Sequence, residues 1–288
     1  MTSVPKVIDV ELALQEKIPD IYKKIPGVLI RLMEKVIRQD DMNRMIHESS
    51  HLNGIPLVDW VLDQFGVNIV VKGKKLIPKK GRYIYPANHP IGGLDGLAIV
   101  SVVAKIHPLI KFVANDLLRV IKGFDSISLY IARFGQINRR NAILINKTLA
   151  SEAQLLVQPA GTVSKRNPVK ISDLAWNKFF IHKAIQYKRD VIPIHVQARN
   201  SRLFYNIASF RKIFRIKSNL EMFLLPREMF NKSGKTITIT FGIPIAYKTF
   251  DDSRTHLEWA QKVREYVYVL GSEKFSSANT IPAFSEVL

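Results

Sequence analysis

The stretch Ala-Asn-His-Pro-Ile-Gly-Gly-Leu-Asp-Gly, residues 87–96, determines how the rest of the sequence is interpreted. It places His89 and Asp95 in a turn-forming loop that follows a short apolar strand predicted over 82–86. Pro90 disfavours helical backbone angles at the residue before it, so His89 is predicted to be extended at the end of that strand. A strongly apolar run follows the loop and predicts a buried helix.

Two glycines in this loop decide whether His89 and Asp95 can meet. On a continuous helix, positions six apart point about 240° apart, so these side chains would diverge. Gly92 and Gly93 allow backbone angles that are closed to other residues, and the loop can then fold the two side chains together. A carboxylate bonded to one imidazole nitrogen fixes the tautomer and leaves the other nitrogen to act as a general base. The alternative is that Asp95 only caps the following helix, and the two roles are compatible.

The loop resembles a motif of a known enzyme superfamily, the glycerol-3-phosphate and lysophosphatidate acyltransferases. Their motif has four residues between His and Asp, whereas five separate His89 from Asp95. The form His-Pro-x-Gly-Gly-x-Asp-Gly resembles a hemolysin-like subgroup, some members of which make bacterial amino-acid lipids. The resemblance extends over residues 72–245. It implies that His89 is the catalytic base, that Asp95 orients it, and that Asn88 and Gly93 contribute to substrate binding.

Three later blocks extend the resemblance, and the last of them, Val191-Ile192-Pro193-Ile194, resembles an apolar strand with a proline that lines the acyl pocket. In residues 134–140, Phe-Gly-Gln-Ile-Asn-Arg-Arg, Arg139 matches an arginine that binds the substrate phosphate, and a guanidinium suits phosphate or carboxylate through paired hydrogen bonds. Residues 158–162 resemble Phe-Pro-Glu-Gly-Thr, and the matching residues are predicted to bind the acceptor: Pro159, Gly161 and Thr162. The sequence departs from these blocks at Gln158 for Phe, at Ala160 for Glu, and at Asn138 for an acidic residue. The two lost negative charges favour an acceptor that bears a carboxyl group over a glycerol phosphate.

The order of predicted elements indicates the fold class. Strands and helices alternate after residue 66, which favours an α/β fold: a mixed sheet flanked by helices, with an N-terminal helical appendage. The predicted units are 1–66, an N-terminal helical segment; 67–271, the α/β acyltransferase domain; and 272–288, a loose C-terminal tail. Strands are predicted over 67–71, 82–86, 109–114, 155–157, 190–196 and 235–241.

Composition limits the chemistry and the location. Lys and Arg outnumber Asp and Glu by 43 to 24, a formal net charge of +19, which suits an anionic partner such as membrane phospholipid or acyl carrier protein. The start of the chain lacks a signal-peptide pattern, and no apolar run approaches the roughly 20 residues that span a bilayer. The protein is therefore predicted to be peripheral on the cytoplasmic face of the inner membrane. Cysteine is absent, so thiolate metal sites are excluded, and neither a metal nor a bound cofactor is expected.

One segment is predicted to face the membrane. Residues 209–218 alternate basic and apolar side chains, and as a helix they would suit an anionic bilayer surface. The predicted membrane-facing residues are Arg211, Lys212, Phe214, Arg215 and Lys217. Amphipathic helices before residue 66 either share this contact or pack on the domain. Nucleic acid is the competing partner and is disfavoured, because no nucleic-acid-binding motif accompanies the basic residues.

These features predict a peripheral membrane acyltransferase. A hydroxyl or amine of a lyso-lipid or of an acylated amino-acid lipid precursor attacks a fatty acyl thioester, carried by acyl carrier protein or coenzyme A, and His89 removes the proton. Three alternatives stay open. They are a phosphatidate-forming lysophosphatidate acyltransferase, a thioester or lipid hydrolase that uses His89 and Asp95, and a non-enzymatic basic protein that binds membrane or nucleic acid.

Overall fold

A computed structural model describes residues 6–131, 139–167, 170–214, 220–272 and 281–287. The α-helices in these ranges are α1 (Val10–Lys17), α2 (Pro19–Tyr22), α3 (Gly27–Ile37), α4 (Gln39–Glu48), α5 (Ile55–Gln64), α6 (Gly93–Ala104), α7 (Arg139–Ala150), α8 (Phe179–Tyr187), α9 (Arg202–Ile213), α10 (Leu225–Phe230) and α11 (His256–Leu270). The strands are β1 (Asn68–Lys72), β2 (Tyr83–Pro86), β3 (Ile110–Asn115), β4 (Ser128–Ile131), β5 (Gln154–Val157), β6 (Lys165–Arg166), β7 (Ile171–Ser172), β8 (Asp190–Val191), β9 (Ile194–Gln197) and β10 (Thr236–Phe241). None of the helices in these ranges is long and apolar enough to span a bilayer.

A five-stranded parallel sheet forms the centre of the fold, with the strand order β4-β3-β5-β2-β8. Both faces are covered, as is usual for parallel sheets, and neighbouring residues on β2 point into different cores. Tyr85 packs against the core that contains α5 and α6, whereas Ile84 packs against the core that contains α8 and α11. Because all five strands are parallel, their carboxyl ends lie at one edge of the sheet. That edge carries the 87–96 loop after β2 and the 158–162 turn after β5.

A second sheet has the order β1-β10-β9, and isolated bridges from Ala87 to Ile194 and from Val191 to Ile245 join the two sheets. The pair β1 and β10 is parallel, and β10 and β9 are antiparallel, so the prediction of an α/β fold with a mixed sheet is confirmed. The single strand predicted over 190–196 is wrong, because the chain breaks at Ile192 and Pro193 into β8 and β9, which join different sheets. Proline has no backbone N–H to donate to a sheet ladder, which accounts for the break.

The N-terminal helices divide between the core and the surface. Leu57 and Val58 of α5 are buried against α6 in the main core, so the predicted boundary at residue 66 does not separate α5 from the domain. Helix α3 begins directly after Pro26, which occupies its N-cap position. Its apolar stripe is turned outward in part, since Val28 is 68% exposed and Leu32 is also exposed.

Two further predictions need correction. The helix predicted over 209–218 begins earlier, at Arg202, where the hydroxyl of Ser201 accepts from the backbone N–H of Phe204 at 3.3 Å, as expected of a helix cap. The loose tail predicted from residue 272 is wrong for residues 281–287, because Phe284 is buried against Trp259 and Tyr266. Burying an aromatic ring of this size holds the segment on α11.

Candidate active site

His89 is the third residue after the end of β2, and its backbone is held by hydrogen bonds at both its N–H and its carbonyl. Its N–H donates to Oδ1 of Asp173 at 3.2 Å, and its carbonyl oxygen accepts from the backbone N–H of Ser164 at 2.7 Å. The carboxylate of Asp173 is buried and also accepts from Ser164 Oγ at 2.6 Å and from the indole N–H of Trp176 at 2.9 Å. A residue 84 positions further along the chain therefore holds the main chain of His89 in place.

The structure brings the side chains of His89 and Asp95 together. Nδ1 of His89 lies 2.9 Å from Oδ1 and 3.2 Å from Oδ2 of Asp95. The turn that permits this contact depends on Gly92, whose φ of 93° lies in a region that favours glycine. Gly93 begins α6 without a positive φ, so the prediction that both glycines need special backbone angles is right only for Gly92.

Asp95 does not act as the N-cap of α6, because Gly92 occupies that position and Asp95 lies in the first helical turn. Its Oδ2 accepts from the N–H of Ile91 at 2.9 Å, just outside the helix, and its Oδ1 accepts from Nε2 of Gln158 at 2.7 Å. The side chain of Asp95 is 0% exposed. A buried carboxylate requires such donors, and here three groups share its two oxygens: Ile91, Gln158 and His89.

Burial and charge act in opposite directions on the pKa of His89. Burial lowers it, because the imidazolium form loses solvation. The negative charge of Asp95, its hydrogen bond to Nδ1 and the charge of Asp173 prevail, so the pKa of His89 is raised above its ordinary value of 6.5. The imidazole is 18% exposed, and its Nε2 has no hydrogen-bond partner among the described residues. This nitrogen is the atom of the pair that a substrate can reach.

The 158–162 turn lies on the same edge of the sheet as His89. Gly161 has a φ of 66°, and its N–H donates to the carbonyl of Gln158 at 3.0 Å. A Cβ placed on Gly161 would meet none of the described atoms within 4 Å, so the turn is open on that side. Thr162 of this turn is half-buried. At the other end of the turn, the carbonyl of Pro159 accepts a hydrogen bond from the side chain of Asn177. The predicted acceptor residues therefore lie near the sheet edge that carries His89, although their contact with a substrate stays a prediction.

The surroundings of two more predicted substrate-binding residues, Asn88 and Arg139, are visible, and their contact with a substrate stays a prediction. The amide of Asn88 is buried, and both of its ends bind the backbone of Val196. Its Oδ1 accepts from the N–H of Val196 at 2.6 Å, and its Nδ2 donates to the carbonyl of Val196 at 2.9 Å. Asn88 therefore ties the end of β2 to β9. Arg139 is exposed at the first position of α7 and forms no hydrogen bond or ion pair with the 87–96 loop among the described residues. Asn138 lies outside the described residues.

The predicted membrane-facing residues that the structure describes have different surroundings. Arg211 was predicted to face the membrane, but it is half-buried and forms an ion pair with Glu221 at 3.0 Å, so its guanidinium is directed to a protein carboxylate. The carboxylate of Glu221 is almost fully buried, and burying it requires a cation beside it. Phe214 is 61% exposed. The side chain of Lys212 and the whole of Arg215 and Lys217 lie outside the described residues.

Sequence reasoning missed the supporting residues of this site. Asp173, Ser164 and Gln158 lie on segments far from the 87–96 loop, and no motif marks them as its partners. The one available signal was Gln158, an amide directly after the buried strand β5, where the matching block of the superfamily has an apolar residue. In the described ranges, no three His, Asp or Glu side chains are grouped as metal ligands.

This geometry agrees with the match of the chain to known proteins. A family model described as Acyltransferase matches residues 12–276, and the chain belongs to this family. The protein is therefore an acyltransferase of the glycerolipid acyltransferase superfamily, which the sequence motifs predicted. The non-enzymatic alternative is excluded, since the family is one of enzymes.

The chain is similar to two named relatives and to one solved structure. It is 37% identical over 265 residues to the lyso-glycine lipid O-acyltransferase of Bacteroides thetaiotaomicron, covering 92% of this chain and 97% of the relative. It is 33% identical over 265 residues to the enzyme of the same name from Phocaeicola vulgatus, covering 92% and 95%. The crystal structure of the 1-acyl-sn-glycerophosphate acyltransferase PlsC of Thermotoga maritima has a TM-score of 0.45 and 18% identity, covering 77% of this chain and 80% of that one.

Proposed function

We propose that the protein transfers a fatty acyl group from a thioester donor to the hydroxyl of a lyso-lipid with an amino-acid headgroup. The observation that carries this proposal is the contact of His89 Nδ1 with Asp95 at 2.9 Å, which leaves Nε2 without a described partner. Two relatives over 30% identical are named lyso-glycine lipid O-acyltransferases, which supports both the acceptor class and the hydroxyl as its reacting group.

In the proposed reaction, Nε2 of His89 removes the proton of the acceptor hydroxyl while its oxygen attacks the thioester carbonyl carbon. The new C–O bond forms, and the C–S bond of the tetrahedral intermediate then breaks. The departing thiolate takes the proton back from His89, so the imidazole returns to its neutral form. Asp95 keeps Nδ1 protonated and stabilises the transient imidazolium. No side chain of the enzyme forms a covalent bond to the acyl group, and no bound cofactor takes part.

The headgroup is inferred from charge. The superfamily has a glutamate in its Phe-Pro-Glu-Gly-Thr block, and this chain has Ala160 at the matching position. Ala160 packs against the core that contains α8 and α11. This position therefore adds no negative charge that would repel a carboxylate headgroup. The donor thiol is the phosphopantetheine of acyl carrier protein or of coenzyme A, since both present the same thioester.

A side-by-side assay tests the acceptor. The purified protein, one acyl thioester and three acceptors are compared: an N-acylated amino acid with a free hydroxyl, lysophosphatidate, and glycerol 3-phosphate. We expect the first to have the largest kcat/KM, and each tenfold preference equals about 1.4 kcal/mol of transition-state binding. A larger kcat/KM with lysophosphatidate would identify a phosphatidate-forming enzyme. Thioester consumption that no acceptor increases would identify a hydrolase.

The pH dependence follows from the raised pKa of His89. A general base works in its unprotonated form, so kcat/KM is expected to rise with pH and to reach half its maximum above pH 6.5, the ordinary value for histidine. Asp173→Asn removes one of the negative charges that raise this pKa and is expected to move the midpoint to lower pH. The measurement is kcat/KM from pH 5 to 9. A wild-type midpoint at or below 6.5 would contradict the prediction.

A peripheral membrane position is part of the proposal, and an apolar surface supports it. Helices α3 and α9 both pack against residues 220–224, and large apolar side chains are exposed on all three. We propose that these exposed side chains form one surface, which we call the apolar face: Val28, Leu29, Leu32, Phe210, Ile213, Phe214 and Phe223. Exposed apolar patches of this kind mark interaction sites. Leu225, which follows this face, lies beside Gly92 of the catalytic loop, so acceptor lipid in a bilayer would be close to His89.

Membrane binding is tested with liposomes. The protein is expected to sediment with anionic vesicles and to lose most of this binding in 0.5 M salt, because screening weakens the attraction of a chain with net charge +19. Phe210→Ser/Phe214→Ser should reduce binding at low salt. Leu109→Ser/Leu257→Ser, which changes two exposed leucines outside the apolar face, is the matched control. Equal sedimentation of both double variants would remove the apolar face from the proposal.

A further inference from the structure

One contact of the site has no counterpart in the superfamily motif, the hydrogen bond from Nε2 of Gln158 to Oδ1 of Asp95 at 2.7 Å. We infer that Gln158 is a positioning residue that limits how strongly Asp95 holds the proton of His89. This inference rests on the proposed role of His89 as general base. It adds a third side chain, Gln158, to the pair formed by His89 and Asp95.

The chemistry of the contact fixes the orientation of the Gln158 amide. A charged carboxylate only accepts hydrogen bonds, so the NH2 group of Gln158 must face Asp95 and its oxygen must point elsewhere. Oδ1 of Asp95 then accepts from both Nε2 of Gln158 at 2.7 Å and Nδ1 of His89 at 2.9 Å. The two donors compete for the same oxygen.

The backbone of Gln158 is placed by the sheet rather than by a mobile loop. It follows β5, whose last residue, Val157, pairs with Pro86 at the end of β2, and the N–H of Ala87 donates to the carbonyl of Val157 at 3.0 Å. The carbonyl of Gln158 accepts from Gly161 at 3.0 Å. The strand that carries the His89 loop and the strand that carries Gln158 are thus direct neighbours. This arrangement places the backbone of Gln158 beside the strand that leads into the loop of His89 and Asp95.

The charged groups that face His89 set the direction of the effect. They are Asp95 from α6 and Asp173 from the segment before α8, and both favour the imidazolium. Beyond them, Arg264 of α11 donates to the carbonyl of Asp173. A neutral donor on Oδ1 stabilises the negative charge of Asp95 in place and leaves less of it to attract the His89 proton. Gln158 therefore opposes the two carboxylates and keeps the base available near neutral pH.

The test uses two substitutions with opposite chemistry at one position. Gln158→Met keeps the length of the side chain and removes the donor, and it is expected to raise the pH midpoint of kcat/KM by about 1 unit. Gln158→Glu adds a negative charge above the pKa of the new carboxyl and is expected to raise the midpoint further. Gln186→Met makes the same chemical change at an exposed position of α8 and should leave the midpoint unchanged.

A second readout does not depend on catalysis. The ring Cε1–H signal of His89 is followed by NMR through the same pH range, with His89→Ala used to assign it among the seven histidines. The midpoint of this titration is expected to move upward in Gln158→Met. Unchanged NMR midpoints in both Gln158 variants, in folded protein, would overturn the inference even if kcat falls. If the NMR midpoints shift while His89→Ala keeps full activity, the inference on Gln158 stands and the proposed general base is wrong.

Discussion

Replacing His89 with alanine is expected to lower kcat/KM by about 10²–10⁴-fold, the usual contribution of a general base. The fold should survive, because the contacts that hold this position to Asp173 and Ser164 use only the backbone N–H and carbonyl of residue 89. The carboxylate of Asp95 would keep its donors from Ile91 and Gln158. Activity would therefore fall without the unfolding that usually accompanies changes in a buried polar cluster.

The measurement is kcat/KM with one acyl thioester and the preferred acceptor, together with the thermal unfolding midpoint. His51→Ala provides the matched control, because His51 is exposed in a turn before α5. We expect this control to retain wild-type activity and both variants to unfold within a few degrees of the wild type. Turnover in His89→Ala within twofold of the wild type would exclude His89 as the base.

Local chemistry made the centre of this site readable from the sequence. The His89 loop needs only a strand end, one glycine with a positive φ and an acidic residue in the first helical turn, and all of these lie within ten residues. The strand predicted over 82–86 and the alternation of elements after residue 66 were readable for the same reason, since each depends on a local pattern. The resemblance to the superfamily motif then predicted the roles of His89 and Asp95 in this loop.

Contacts between distant segments were not readable. Asp173 and Gln158 reach the loop across 84 and 63 residues respectively, and only the parallel order of β2 and β5 brings Gln158 close. The strand predicted over 190–196 failed at Pro193 because the pattern of apolar residues continues across the break between the two sheets. In α3, an amphipathic stripe has the same sequence pattern whether it faces a core or a membrane, so only the fold shows that Val28 is exposed.

Asp95→Asn is expected to lower kcat/KM by about 10²-fold and also to lower the free energy of unfolding by about 1–3 kcal/mol. The carboxylate accepts from Ile91 on one oxygen and from Gln158 and His89 on the other. An asparagine has one oxygen and one NH2 group, so the NH2 group would face either the N–H of Ile91 or the donors of Gln158 and His89 in a buried site. Asp63→Asn is the matched control at an exposed position of α5, and it should change neither quantity. Wild-type activity in Asp95→Asn would show that the charge of Asp95 is not used.

The double variant His89→Ala/Asp95→Asn separates the two effects of Asp95. If Asp95 acts on the reaction only through His89, its substitution should lower the residual kcat/KM of His89→Ala by less than about threefold, because residues that act as a unit are not additive. The loss of stability should persist, since the NH2 group of the asparagine still faces the donor of Ile91 or of Gln158 when His89 is absent. Residual rates are measured over long incubations, with added imidazole as an external base. A further 10²-fold loss of kcat/KM in the double variant would mean that Asp95 contacts the substrate or the leaving group itself. Asp95 would then not act through His89 alone.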